Sequence, residues 1–344
     1  MLTAIKRFKD FQISLLYLNL KYETGKMHRR NKHSTELKLL IGGDNTMFTE
    51  FSLALLVIVA LVVFAWIIRL IQQWQWKTSI IKIIIGQTNS AAGIEYAGYF
   101  LGVWIITSSV LNGASLQNNQ VFILLENGSL SIWSYAFQIA LYGISSILLL
   151  ALLGHFGLRL ILRINLKEII RSNNSAAGIV IASGYISTAL IIAGVLSGES
   201  DGGDIIVTLV FALSGIISLL LFTYLFRFLT SYSDTKEIRD DNNAAALSYG
   251  GIMIALGMII GHALEGNFIN YTTSFILYGK SLLVILLLYP IRQIIVQGIL
   301  LGDGYRFYGG KLDEEISVVH NLGAGSVEAA TYLAFAILAI HLGY

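Results

Sequence analysis

Cysteine is absent from the chain, which excludes a disulfide framework, cysteine-ligated zinc or iron–sulfur centres and all thiol chemistry. Charge is scarce too. Asp, Glu, Lys and Arg make up 13% of the 344 residues, about half the share found in a soluble domain. The formal net charge of +2 is too small for a nucleic-acid binder. There is a single proline, Pro290, so little stops a helix once it has started. What remains is apolar: 55% hydrophobic residues, 33 glycines and a mean hydropathy of +0.70. Such a chain does not dissolve in water, and the expected solvent is lipid.

A bilayer core of roughly 30 Å is crossed by about 20 apolar residues in a helix, because every backbone polar group must be satisfied within the segment. Eight stretches qualify: Phe51 to Ile71, Ala91 to Leu111, Ser131 to Leu153, Ala176 to Leu196, Ile205 to Phe228, Ala244 to Leu264, Thr273 to Ile295, and Gly323 to Leu342. The sequence therefore reads as an all-α polytopic membrane protein. Basic residues set the orientation, since short cytoplasmic loops are rich in Lys and Arg. Of the 14 after residue 46, thirteen follow the odd-numbered helices, among them Arg159, Arg227, Arg292 and Lys311; the exception is Lys280. The even-numbered helices then start in the cytoplasm, and both ends of the eight-helix chain lie outside. Residues 1–46 carry nine Lys or Arg and oppose that arrangement. We expect translation from Met47, the alternative being an amphipathic anchor.

Four short matches open the even-numbered helices: Thr88-Asn89-Ser90-Ala91-Ala92-Gly93, Asn173-Asn174-Ser175-Ala176-Ala177-Gly178, Asn242-Asn243-Ala244-Ala245-Ala246, and His320-Asn321-Leu322-Gly323-Ala324-Gly325. The same helices close at Gly113, Gly198, Gly266 and Gly343, 22 to 24 residues after Asn89, Asn174, Asn243 and Asn321. A longer echo pairs Ala140-Leu141-Tyr142-Gly143-Ile144-Ser145 with Ile276-Leu277-Tyr278-Gly279-Lys280-Ser281. The unit is a helical hairpin repeated four times, in two tandem four-helix units at 47–200 and 201–344. Capping and packing account for every motif residue: Asn caps orphan N–H groups, and Gly98 with Gly102, or Gly257 with Gly261, let helices approach closely. The functional alternative has four Asn side chains and four positive helix ends converging to bind an ion or line a pore mouth.

The Asn-Asn-x-Ala-Ala opening followed by a Gly-rich membrane helix, twice within about 130 residues, resembles the bacterial inner-membrane family called domain of unknown function 350, which includes YjfL-like proteins. The resemblance covers everything after residue 46. It departs at the third copy, where Leu247 takes the place of Gly, and at the fourth, where Leu322-Gly323 replaces Ser-Ala. Family members typically have one four-helix unit and accompany genes of envelope stress and polyamine metabolism, which implies a role in membrane homeostasis and no particular chemistry.

Ionisable groups within membrane helices are costly and point to function by default. Glu95 and Glu328 occupy near-equivalent depths, six and seven residues past Asn89 and Asn321. Lys280 stands where the third helix has Ile144. Each has a structural reading, a carboxylate bonded to a neighbouring helix or a lysine stem reaching the interface, beside the reading as charged elements of an ion pathway. His155, His262 and His341 are not at metal-ligand spacing, and no metal or cofactor is expected. The stretches Trp76 to Ile85 and Gly298 to His320 both read as plain loops, with a basic interfacial segment as the alternative for the first and a docking surface for the second, and Pro290 reads as the end or a kink of the seventh helix. No phosphate-binding Gly loop, Ser-His-Asp set or zinc-protease pattern occurs, so an enzyme is the least supported class. The expectation is a non-enzymatic membrane component that recruits a peripheral cytoplasmic protein, with the bilayer and a second copy of itself as further candidate partners; the alternative is a small-solute or ion channel along the repeat axis.

Overall fold

In the computed structural model the chain divides into two compact units, Met1–Phe64 and Ala65–Tyr344. The structure describes residues 80–113, 171–197, 205–266, 268–306 and 308–342, with a few isolated positions, of which only Val63 belongs to the first unit. The expected extension 1–46, the helices Phe51 to Ile71 and Ser131 to Leu153, and the echo at Ala140 to Ser145 lie outside the described residues, isolated positions aside.

Within the second unit every described element is helical, and no strand occurs among the described residues. In chain order they are α1 (Ile80–Gly86), α2 (Ser90–Gly113), α3 (Ser175–Leu196), α4 (Ile205–Phe228), α5 (Asp234–Arg239), α6 (Asn243–Ala263), α7 (Tyr271–Leu300), α8 (Lys311–Ser317) and α9 (Leu322–Leu342). Among the described residues five helices are long and apolar enough to cross a membrane: α3, α4 from Ile206, α6, α7 and α9. The segment Trp76 to Ile85 ends in the short helix α1, and the expected loop Gly298 to His320 contains α8, a correction to the reading of that stretch as plain loop.

The seventh expected helix also differs from a simple kink. It starts as an α-helix at Tyr271–Ser281, tightens to a 3₁₀ turn at Leu282–Leu287, resumes as α over Leu288–Ile291 and widens into a π-helix over Arg292–Leu300. Proline has no N–H, and its ring collides with the carbonyl four residues earlier. The backbone on either side of Pro290 absorbs this by changing pitch rather than by stopping.

The helices that begin with the Asn motif pack in a row, α2 on α3, α3 on α6 and α6 on α9. Glycine makes each contact. A Cβ on Gly178 of α3 would sit 2.7 Å from the Ala91 carbonyl oxygen of α2, one on Gly257 of α6 would sit 2.6 Å from Ser187 Cα of α3, and one on Gly251 of α6 would sit 2.5 Å from Ala329 Cα of α9. Gly194 and Gly261 meet backbone to backbone. Apolar side chains gain little by leaving lipid for a neighbouring helix, so close backbone approach adds what their burial does not supply. Tyr99, Tyr185, Tyr249 and Ile260 pack inside the row, whereas Ile206, Leu209, Leu213, Ile217 and Leu221 of α4 are exposed.

Replacing Gly257 by Ala should therefore lower unfolding stability in detergent by about 1–3 kcal/mol, the usual cost of overpacking. Gly279→Ala, whose added methyl meets nothing within 4 Å, should leave it unchanged or slightly raised. Thermal and denaturant unfolding of the two variants side by side measures the difference.

Candidate functional site

The four motif helices start with one shared geometry. The residue before each cap has a positive φ: Thr88 (48°), Asn173 (66°), Asp241 (60°) and His320 (57°). This left-handed conformation is the least costly for Asn and Asp. The next residue is the cap, and its carbonyl accepts the first helical bond: Gly93 N–H to Asn89 O, Gly178 to Asn174, Ala246 to Asn242 and Gly325 to Asn321. The third cap is therefore Asn242. Asn243, which the sequence reading aligned with the other three, is the first residue of α6, and its Oδ1 accepts from Ser175 Oγ at 2.9 Å. In the second copy the cap is the later of two adjacent asparagines and in the third the earlier, so matching Asn243 to Asn174 shifts the register by one, and Ala246, not Leu247, takes the place of Gly178.

Each cap closes its own helix, and the last three work twice. Asn89 Oδ1 accepts from Ala92 N (2.8 Å), Asn174 Oδ1 from Ala177 N (2.7 Å), Asn242 Oδ1 from Ala244 N and Ala245 N, and Asn321 Oδ1 from Gly323 N and Ala324 N. Their amide nitrogens point the other way. Asn174 Nδ2 donates to the Ile238 and Arg239 carbonyls that end α5; Asn242 Nδ2 donates to Ile316 O of α8 and Glu237 Oε2; Asn321 Nδ2 donates to Glu315 Oε2. The left-handed residues complete the joint. Asn173 Oδ1 accepts from Ser90 Oγ and Ala91 N of α2, and Asp241 Oδ1 from Ser175 Oγ and Ala176 N of α3. The second and third copies thus cap the start of the motif helix before them, and the carboxylate of Asp241 also answers the positive end of α3.

Beneath the later caps lie two buried ion clasps. Arg227, at the end of α4, bonds Asp234 at the start of α5 through both Nε and Nη2, Ser248 Oγ of α6 through Nη1 (2.8 Å), and the Tyr232 hydroxyl (2.7 Å). Burial pushes the Asp234 carboxyl above its ordinary range while the guanidinium draws it back, and burial raises the Tyr232 hydroxyl as well. Arg292, fully buried on α7, bonds Asp313 of α8 through Nη2 and Glu328 of α9 through Nε. Tyr332 donates to Glu328 Oε1 at 3.1 Å, and Ser231 N, next to the first clasp, donates to Asp313 Oδ2 at 2.7 Å. Three carboxylates face two guanidinium groups across α4, α5, α7, α8 and α9.

The expected charged elements do not meet. Glu328 belongs to the Arg292 clasp, whereas Glu95, 1% exposed, lies between α2 and α3 beside Tyr185. Lys280 is exposed on α7, and none of the ion pairs among the described residues includes it. His262 pairs with Glu265, and His341 Nδ1 lies 2.7 Å from the Ile337 carbonyl. Asp234 and Asp313 were not singled out from the sequence, nor were Arg227 and Arg292 beyond their use in orienting the helices. Their signal was a spacing: each Asp stands eight residues before its cap, Asn242 or Asn321. Counting from Asn243 hides the match.

These features define an all-helical integral membrane protein whose polar residues join helix ends. The chain belongs to the family described as Domain of Unknown Function (DUF350): the family pattern matches residues 45–196 and again 200–342, so the domain occurs twice in tandem. The chain is also 25% identical over 267 residues, 77% of its length and 90% of the relative's, to the "UPF0719 transmembrane protein" of Aquifex aeolicus (strain VF5). No solved structure matches it.

Arg292→Met should destabilise the protein by about 3–5 kcal/mol, because Asp313 and Glu328 are left buried without their cation. Adding Glu328→Gln should recover part of the loss, which a double-mutant cycle of unfolding free energies would show. Asn242→Ala should cost about 1 kcal/mol for the cap alone and more with the bonds to Glu237 and Ile316, whereas Asn243→Ala should cost less. Equal losses at the two asparagines would contradict the corrected register.

Proposed function

We propose that the protein is a non-enzymatic structural component of the cell membrane, eight helices built as four hairpins in two tandem units, with the motif-helix starts and basic loops in the cytoplasm and both termini outside. The orientation rests on the distribution of Lys and Arg. One observation carries the functional reading. The motif asparagines spend their carbonyls on their own helices and, in the last three copies, their amides on the short connecting helices α5 and α8, while the helices they open touch through glycine backbone. The groups a pore mouth would need are committed to the joint. At the same end Val318, Val319 and Leu322 are exposed around α8 and the start of α9, offering an apolar patch to a peripheral protein engaged in envelope maintenance.

The second reading, an ion or small-solute pathway, draws on the excess carboxylate in the buried Arg227–Asp234–Arg292–Asp313–Glu328 set. Ion flux in liposomes separates the two. The structural reading predicts flux no greater than in protein-free vesicles, for the parent protein and for the Glu95→Gln, Glu328→Gln double variant alike. Parent flux that the double variant abolishes would replace it with the pathway. For the docking surface, a photo-crosslinking residue at Val318 should capture one discrete protein in cells, and Val319→Asp should remove that product. Absence of any discrete product would end the recruitment proposal.

A further inference from the structure

A groove of about 670 Å³ opens on the outer side of the bundle where α4 ends and α7 changes pitch. Its walls are apolar: Leu225 and Leu229 on one side, Leu286, Pro290 and Ile294 on the other. Leu225, Leu286 and Ile294 are exposed, and the groove lies between two membrane-crossing helices, so hydrocarbon faces it. Its size lies within the range of small-molecule sites. Pro290 lines the groove just before the π pitch of α7 begins at Arg292.

Two polar features stand at its basic end. Arg306 lines the opening beside Tyr305, its side chain 60% exposed and 3.7 Å from Asp303 Oδ2. Deeper in, Gln293 is 6% exposed. Its Nε2 donates to the Tyr289 hydroxyl, which in turn donates to Leu229 O, but among the described residues none donates to its Oε1. A buried carbonyl without a donor costs stability unless a ligand supplies one. The lining therefore asks for three things in one molecule: an acyl chain, an anion and a hydroxyl donor. Basic pockets between membrane helices are fitted to anionic lipid head groups.

We propose that this groove holds an anionic glycerophospholipid of the leaflet at the basic end of the bundle, its acyl chain along Leu225, Leu286 and Ile294, its phosphate on Arg306 and a headgroup hydroxyl on Gln293 Oε1. The site is separate from the caps and from both ion clasps, and it does not depend on the structural or pathway reading.

Native mass spectrometry of the full chain in mild detergent, titrated with phosphatidylglycerol or phosphatidylcholine of matched chains, tests the proposal. Phosphatidylglycerol should be retained preferentially. Arg306→Gln, on the surface, should weaken it about fivefold, Gln293→Leu about threefold, and Leu286→Trp, which fills the groove, should remove the preference, while Lys236→Gln on the same face should not. Equal retention of both lipids, or a preference indifferent to Arg306→Gln, would overturn the proposal whatever the fate of the Leu286 variant. Displacement of the lipid by millimolar inorganic phosphate would assign the cation to free anion instead and overturn the lipid assignment.

Discussion

A helix surrounded by lipid gains no hydrophobic free energy by touching another helix, so its neighbours must offer something lipid cannot. In this protein that is contact at backbone distance. Gly178 on Ala91, Gly257 on Ser187 and Gly251 on Ala329 set the spacing of the row α2–α3–α6–α9, and no side chain stands between the helices at those points. The large apolar residues of α4 lie at the rim, where lipid solvates them, Tyr99, Tyr185 and Tyr249 pack inside the row, and buried serine hydroxyls of α3 bond locally. Ser183 and Ser187 illustrate the rule, since each returns its hydroxyl to a carbonyl of its own helix.

Such a row has costly ends, because the first N–H groups and last carbonyls of every helix need partners. The caps resolve this reciprocally. Asn174 closes the start of α3 and the end of α5 at once, Asn242 joins the start of α6 to α8, and Asp241 reaches back to α3. The two arginine clasps extend the same joint to α4 and α7, which otherwise touch the row lightly. The charge buried at these helix ends is thus tied to connectivity.

The membrane class, the extent of α3, α4, α6 and α9 to within a residue or two, and the fourfold opening motif were all legible, because apolar length and a repeated Asn-x-small pattern are local signals. The register of the third copy was not, since Asn242 and Asn243 satisfy the pattern equally until the left-handed Asp241 and the bond from Ala246 to Asn242 distinguish them. Glu328 was visible as a buried carboxylate, but its partners were not. Arg292 is 36 residues away and Asp313 sits in a stretch that composition marks as loop. The pitch changes around Pro290 also escaped the sequence, which shows only that the N–H is missing.

The central claim is that the motif helices meet without water between them, and the absence of native cysteine allows a direct measurement. A single cysteine placed at Ser187, fully buried on α3 against Gly257, and another at exposed Thr272 at the start of α7 can be exposed to a small water-soluble thiol reagent in opened membranes. The account predicts rapid modification at 272 and none at 187. Modification of both at similar rates would place water along the row and contradict it.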